Sequence, residues 1–205
     1  MALLIIAVIV LLILILISKK GVVMKDPCPK YPNYGYLPNR VEMSLQEFAN
    51  RVVNVISDPV LALIAIATGI QEHGRSGGKI RFYGNNWHGA LFVVKKRPNG
   101  DCYSAWGDDY IGGKFYTNRG EWLIYFETLE DSIRFFEKHA RRKLKTYIQK
   151  YGLKQPGQFS DVDFAEWYVR MWYAAEDINK ALNEKGASLR AAWKKAVELY
   201  SNAPK

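Results

Sequence analysis

The stretch Asp58 to Gly74, DPVLALIAIATGIQEHG, constrains the chain most, because it reads as a helix with almost no polar face. Asp58 is a capping type whose carboxylate can accept from the first free backbone N–H groups. Pro59 suits the first helical position, where no N–H is needed. No charge occurs from Val60 to Ile70. A helix apolar on every side belongs inside a core. It then reaches a carboxylate, Glu72, with Gly74 placed to end it. A carboxyl beside an apolar core is desolvated, and the C-terminal end of a helix is the negative end of its dipole. Both effects favour the protonated form, the state a general acid needs near neutral pH. The competing reading is a surface glutamate at a frayed helix end.

Four short patterns stand in order along the chain. Glu72-His73-Gly74 comes first and Asn85-Asn86-Trp87-His88-Gly89 second. Asp109-Tyr110-Ile111-Gly112-Gly113 is third, and Tyr173-Ala174-Ala175 with Asp177 is last. The series resembles the glucosaminidase family of peptidoglycan hydrolases, glycoside hydrolase family 73. In that family a buried helix ends Glu-Ser-Gly. Asn-Asn-x-Phe-Gly, Glu-Tyr-x-x-Gly and Gly-Tyr-Ala-Thr-Asp-Pro motifs follow it. The resemblance spans about residues 44–184. The chain departs from the family pattern at His73 (Ser), His88 (Phe), Asp109 (Glu), Trp172 (Gly) and Ile178 (Pro).

The resemblance implies an α+β, mainly α, lysozyme-like helical domain with a small β-hairpin lobe. It also implies a glycosidase of the endo-β-N-acetylglucosaminidase or muramidase type, acting on the β-1,4 bonds of peptidoglycan glycan strands without a cofactor. Glu72 would be the general acid. Asp109 would be the second carboxylate, as base or nucleophile, with Asp108 beside it as a rival. Tyr173 matches the family's cleft tyrosine, and Tyr110 would join it in binding substrate. Asn86 would fix the loop beneath the cleft through side-chain to backbone hydrogen bonds. Trp87 and Trp106 are candidates for stacking on sugar rings, with core packing as the alternative. His73 and His88 flank the expected cleft, but two imidazoles without a third ligand do not make a zinc site. His139 is the third histidine.

Two rival functions remain. A lytic transglycosylase also uses a glutamic acid but expels an anhydro-sugar and does not need Asp109. A non-catalytic virion-membrane or wall-binding protein could keep the fold after losing activity.

The chain has 205 residues, enough for one domain and an appendage, and a net charge of +9. A basic surface asks for an acidic partner. No basic run or RNA-binding signature occurs, which disfavours nucleic acid. Cys28 and Cys102 are too few for a disulfide framework. They either pair or remain two unrelated thiols.

Met1 to Ile17 is an unbroken apolar run. As a helix it would span about 25 Å, so residues 1–18 are expected to be a transmembrane anchor in the lipid bilayer. A cleaved signal peptide would want a basic residue before the run and a small-residue cleavage site after it. Lys19, Lys20 and Lys25 follow the run. The positive-inside rule then opposes an outward-facing wall hydrolase. Either a virion internal membrane or a bacterial cell envelope would reconcile the two. Residues 19–43, with prolines and tyrosines interleaved, are expected to be an extended linker.

The remaining residues, 44–205, are expected to form the domain. Ser44 and Thr128 each open an expected helix through a capping box, and Ser160 begins a third. Residues 75–84, rich in glycine and polar groups, read as a loop. Leu91 to Val94 and Cys102 to Trp106 read as strands around a Pro98-Asn99-Gly100 turn. Ser188 to Tyr200 is a last amphipathic helix.

Overall fold

The computed structural model describes residues 25–204. Its helices are α1 (Leu45–Val55), α2 (Pro59–His73), α3 (Leu129–Tyr151), α4 (Asp161–Trp167) and α5 (Ile178–Ser201). A π-helical turn, Tyr168–Trp172, continues α4. Eight short strands are β1 (Asn33–Tyr36), β2 (Arg40–Ser44), β3 (Gly74–Arg75), β4 (Lys79–Tyr83), β5 (Val94–Lys96), β6 (Cys102–Ser104), β7 (Gly113–Tyr116) and β8 (Trp122–Tyr125). They form three small sheets, ordered β1-β7-β8, β2-β4-β3 and β5-β6.

The expected fold class is corrected here. The described residues are α+β, with five α-helices and several small sheets, and among them no helix is long and apolar enough to cross a membrane. The anchor expected over residues 1–18 lies outside the described residues. Among the described residues no helix supports the expected single-pass localisation.

Helix α2 starts as its sequence dictates: the Asp58 side chain accepts from the N–H groups of Val60 and Leu61, with Pro59 in the first turn. Leu61, Ala62, Ile64, Ala65, Ile66 and Ala67 are wholly buried. Each of the larger three contributes about 2 kcal/mol by leaving water. Helices α1, α3 and α5 pack on α2, and α4 packs on α5, in one cluster that includes Phe48, Phe136, Phe164, Trp167 and Leu189. Gly69 lets α1 approach, since a Cβ there would lie 2.6 Å from the Phe48 ring. Gly74 ends the helix with φ −59°, so its glycine is not a left-handed cap. A Cβ would meet the Ile70 carbonyl oxygen at 2.5 Å, and that crowding is what requires glycine.

Ser44 and Thr128 cap α1 and α3 as expected, accepting from Glu47 N and Asp131 N. Ser160 and Asp163 form a reciprocal capping box at α4. The last helix is longer than expected and runs unbroken from Ile178 through Gly186 to Ser201.

Two stretches fold more than their composition suggests. Residues 75–84 were expected to be a loop, yet Lys79–Tyr83 pairs antiparallel with Arg40–Ser44. Ile80 and Phe82 alternate inward from it and are wholly buried. Residues 33–43 were expected to be tether, yet Asn33–Tyr36 pairs in parallel with Gly113–Tyr116. Tyr34 stacks on Tyr125 with centroids 3.7 Å apart.

A second apolar cluster underlies this lobe and includes Cys28, Tyr31, Phe92, Ile124, Phe126 and Phe135. Cys28 and Cys102 form a disulfide across 74 residues of sequence. Lys114 is wholly buried beside it. Its ammonium donates to the carbonyls of Cys28 (2.7 Å) and Tyr31 (2.5 Å) and pairs with Asp26 at 3.0 Å. Replacing both cysteines with serine is expected to lower unfolding free energy by about 2–4 kcal/mol, read as an earlier urea midpoint.

Candidate active site

A cleft of about 850 Å³ lies between the helices and the β-lobe. The end of α2 contributes Glu72 and His73. The following loop contributes Asn86, His88, Gly89 and Ala90. The β7–β8 hairpin and its turn contribute Phe115, Thr117, Asn118, Arg119, Glu121 and Leu123. Phe135 and Lys143 come from α3, and Trp172 and Tyr173 from the π turn. Trp106, Leu91 and Val93 complete the lobe side.

Glu72 is half-buried, and the Tyr168 hydroxyl donates to its Oε1. Burial raises its pKa above the usual 4.5, against the opposing pull of the Tyr168 hydrogen bond and of Lys185. With Oε1 taken by Tyr168, Oε2 is the oxygen left open to carry a proton. That oxygen faces Gly89: a Cβ built there would sit 3.8 Å from it. Gly89 also has φ +68°, so glycine serves both the turn and the open space beside the acid.

Tyr168 was not singled out from the sequence. The widened π turn explains its role. On an α-helix, Tyr168 and Tyr173 would point about 140° apart. Here the Tyr173 N–H donates to the Tyr168 carbonyl at 2.8 Å. The two rings lie nearly parallel, 10° apart in plane with centroids at 6.4 Å. Tyr173 is exposed at the cleft, with the Lys185 ammonium 4.0 Å from its ring centroid.

Asn85 and Asn86 pin the loop. Asn85 takes φ +54° and donates to the carbonyls of Phe126 and Glu127. Asn86 is buried. It donates to Ala90 O and Ile124 O and accepts from Ala90 N, each at 2.9 Å. Its side chain closes the loop from Asn86 to Ala90 and joins it to strand β8.

The other expected site residues divide. Trp106 lines the cleft, and its indole N–H donates to Leu91 O at 2.8 Å. Trp87 is wholly buried, packed against Phe48 and Phe136. Tyr110 is exposed and is not among the cleft-lining residues. Asp109 is also outside the cleft lining; its exposed carboxylate pairs with Lys138 of α3. Its neighbour Asp108 accepts from Tyr31 and Lys30. The Asp108-Asp109 turn is thereby tied down away from Glu72. The carboxylate that does join Glu72 along the cleft is Glu121, beside the hairpin turn. It was missed because it belongs to no motif, and only the β7–β8 pairing brings it there.

His88 is buried among Trp87, Phe126, Phe135, Phe136 and Trp172. Its Nε2 shares a 3.2 Å hydrogen bond with Ser132 Oγ. Burial first, then His73 and His139, pushes its pKa down to about 3. His139 is lowered to about 4 by burial and by Arg142, Lys138 and Lys143. Among the described residues no group of three or more His, Cys, Asp or Glu is arranged to hold a metal ion.

Against family models, curated proteins and solved structures, the chain has no match in any of the three comparisons.

Two outcomes follow from this geometry. Asn86→Ala leaves buried backbone groups unpaired and is expected to cost about 3 kcal/mol of stability, measured by urea unfolding. Glu72 holds its proton to higher pH when folded than when unfolded. Its contribution is therefore fully present below the unfolded value and is lost as pH rises through the raised folded value. Glu72→Gln keeps an acceptor for Tyr168 and removes the ionisation. The variant's stability relative to wild type is expected to climb as pH rises from the ordinary carboxyl range through the raised folded value, in paired urea titrations.

Proposed function

We propose that the cleft binds a β-1,4-linked amino-sugar glycan of the peptidoglycan type and that Glu72 protonates the glycosidic oxygen as the bond breaks. The observation that carries this reading is the desolvated Glu72 carboxyl in a cleft, hydrogen-bonded through one oxygen and open at the other. The proton on Oε2 passes to the leaving oxygen. The resulting carboxylate keeps the Tyr168 hydrogen bond and the nearby Lys185 charge, which compensate for its burial. Glu121, exposed to solvent on the hairpin side, acts as the second carboxylate. It stabilises the developing positive charge or activates water. Trp106 and Tyr173 offer aromatic surfaces on which pyranose rings can lie.

A second reading is a lytic transglycosylase, favoured by Asp109 being held outside the cleft by Lys138. That reaction uses one acid and closes the sugar on itself without water. Mass spectrometry of released fragments separates the two, since hydrolysis leaves a reducing end and transglycosylation an anhydro end.

The test measures glycan release from purified cell walls. Glu72→Gln is expected to lower kcat by a factor of about 10²–10⁴. Glu121→Gln is expected to lower kcat for hydrolysis, and Asp109→Asn to leave it near wild type. A Glu72→Gln protein that clears walls at the wild-type rate would remove Glu72 from the chemistry.

A further inference from the structure

The cleft also contains a cation that the protein leaves without a carboxylate. Lys143, on α3, is half-buried and lines the cleft. Its ammonium donates to the Met171 carbonyl. It lies 5.0 Å from the Trp172 ring centroid and 5.8 Å from that of Trp106. Among the described residues no Asp or Glu pairs with it. Of the other cleft cations, Arg81 pairs with Glu42, while Arg119 has no carboxylate partner among the described residues but is exposed on the hairpin turn; outside the lining, Lys138 pairs with Asp109, and Arg141 with Asp58 and Glu137.

An ammonium has three N–H donors. Met171 uses one, and two indole faces only partly compensate for the lost water. Burial lowers the pKa of Lys143, with a further push from Arg142. A cation kept in a cleft at that cost, with donors to spare, is completed by an anion on the ligand. The anion is small and singly charged, because one ammonium between flat apolar rings suits a carboxylate. A phosphate is ordinarily met by several donors or by an arginine fork.

We propose that Lys143 is the anion-recognition residue of this cleft, reading a carboxylate carried by the glycan, so that the substrate class is an acidic glycan rather than a neutral chitin-type polymer. This rests on the reading of the cleft as a glycan site. The carboxylate has two sources in wall glycan: the lactyl ether of the sugar or the peptide attached to it. Trp106 and Trp172 hold the ammonium at a set height, and Glu72 stands in the same cleft. Carboxylate pairing at Lys143 would fix which glycosidic oxygen reaches the acid.

Equilibrium binding to the Glu72→Gln protein tests this without turnover. The ligands are peptide-free wall glycan strands, the same strands with carboxylates reduced to alcohols, intact peptide-bearing strands, and neutral N-acetylglucosamine oligomers. Lys143→Met keeps the chain length between the indoles and removes the charge. It is expected to weaken binding of acidic strands by about tenfold to a hundredfold and to leave neutral oligomers unchanged. Lys143→Arg restores most of the loss. Carboxyl-reduced strands bind the Lys143 protein as weakly as acidic strands bind the Met variant, which needs no folded variant to read. Dependence on Lys143 that persists only with peptide-free strands places the carboxylate on the lactyl group. Dependence confined to peptide-bearing strands places it on the peptide. If acidic and carboxyl-reduced strands bind the Lys143 protein equally while neutral oligomers also bind, this proposal alone fails. If no glycan binds at all, it falls together with the glycan reading.

Discussion

The architecture depends on the burial of one helix. Because α2 carries no charge from Val60 to Ile70, α1, α3 and α5 pack around it, and the polar groups beyond the apolar stretch emerge at the edge of the core. Glu72 is one of those groups. Holding an unpaired carboxylate there costs several kcal/mol, whereas one unit of pKa shift corresponds to 1.36 kcal/mol. Neutralising the group is therefore the cheaper response. A single hydrogen bond from Tyr168 and a more distant lysine oppose that tendency but do not outweigh the lost water. The same burial, with Glu72 beside it, holds the Tyr168 hydroxyl in its protonated, donating form.

The remainder of the fold keeps a lobe facing that carboxyl. Two apolar clusters, one helical and one under the strands, meet at the loop from Asn85 to Gly89. Trp87 belongs to the helical cluster, while the Asn86 carboxamide bonds to Ile124 in the lobe. His88 lies between Phe126 of the lobe cluster and Phe136 of the helical one, neutral at any ordinary pH. In the lobe, Lys114 with Asp26 ties the segment around residues 26–31 to β7, and the disulfide ties it to β6. A lysine with no exposure is tolerated there because two carbonyls and a carboxylate surround its ammonium.

Legibility followed the strength of local signals. Caps at Ser44, Asp58, Thr128 and Ser160 were readable because a short polar side chain before an apolar period has few other uses. The β5–β6 hairpin was readable from Pro98-Asn99-Gly100. Strand β4 was not: Gly77, Gly78 and the charges at Lys79 and Arg81 mask the inward alternation of Ile80 and Phe82. Strand β1 was obscured by the prolines that flank it and by tyrosines that stay exposed, and its pairing depends on Gly113–Tyr116, about 80 residues away. At the site, Glu72, Asn86, Trp106 and Tyr173 converge because helix ends and tight turns place them. Tyr168 escaped notice because an α-helical period cannot foresee a π turn. Glu121 escaped because it reaches the cleft only through strand pairing.

Asp109 shows where a motif loses its meaning. Its place in the chain matched a pattern, but its geometry is set by neighbours that the pattern does not contain. Tyr31 and Lys30 hold Asp108, and Lys138 holds Asp109. The first turns of α3 bring several cations toward acidic partners: Arg134 to Asp131, Lys138 to Asp109, Arg141 to Glu137 and Asp58. Exposed pairs such as these contribute little stability individually, yet they decide which charges remain for the cleft. Lys143 lies little more than a turn beyond Lys138 and meets aromatic rings instead of a carboxylate. The cleft thus keeps an acid whose pKa burial raises at one place and a cation without a carboxylate partner at another. The second follows from the order of charges along α3, the first from the burial of α2.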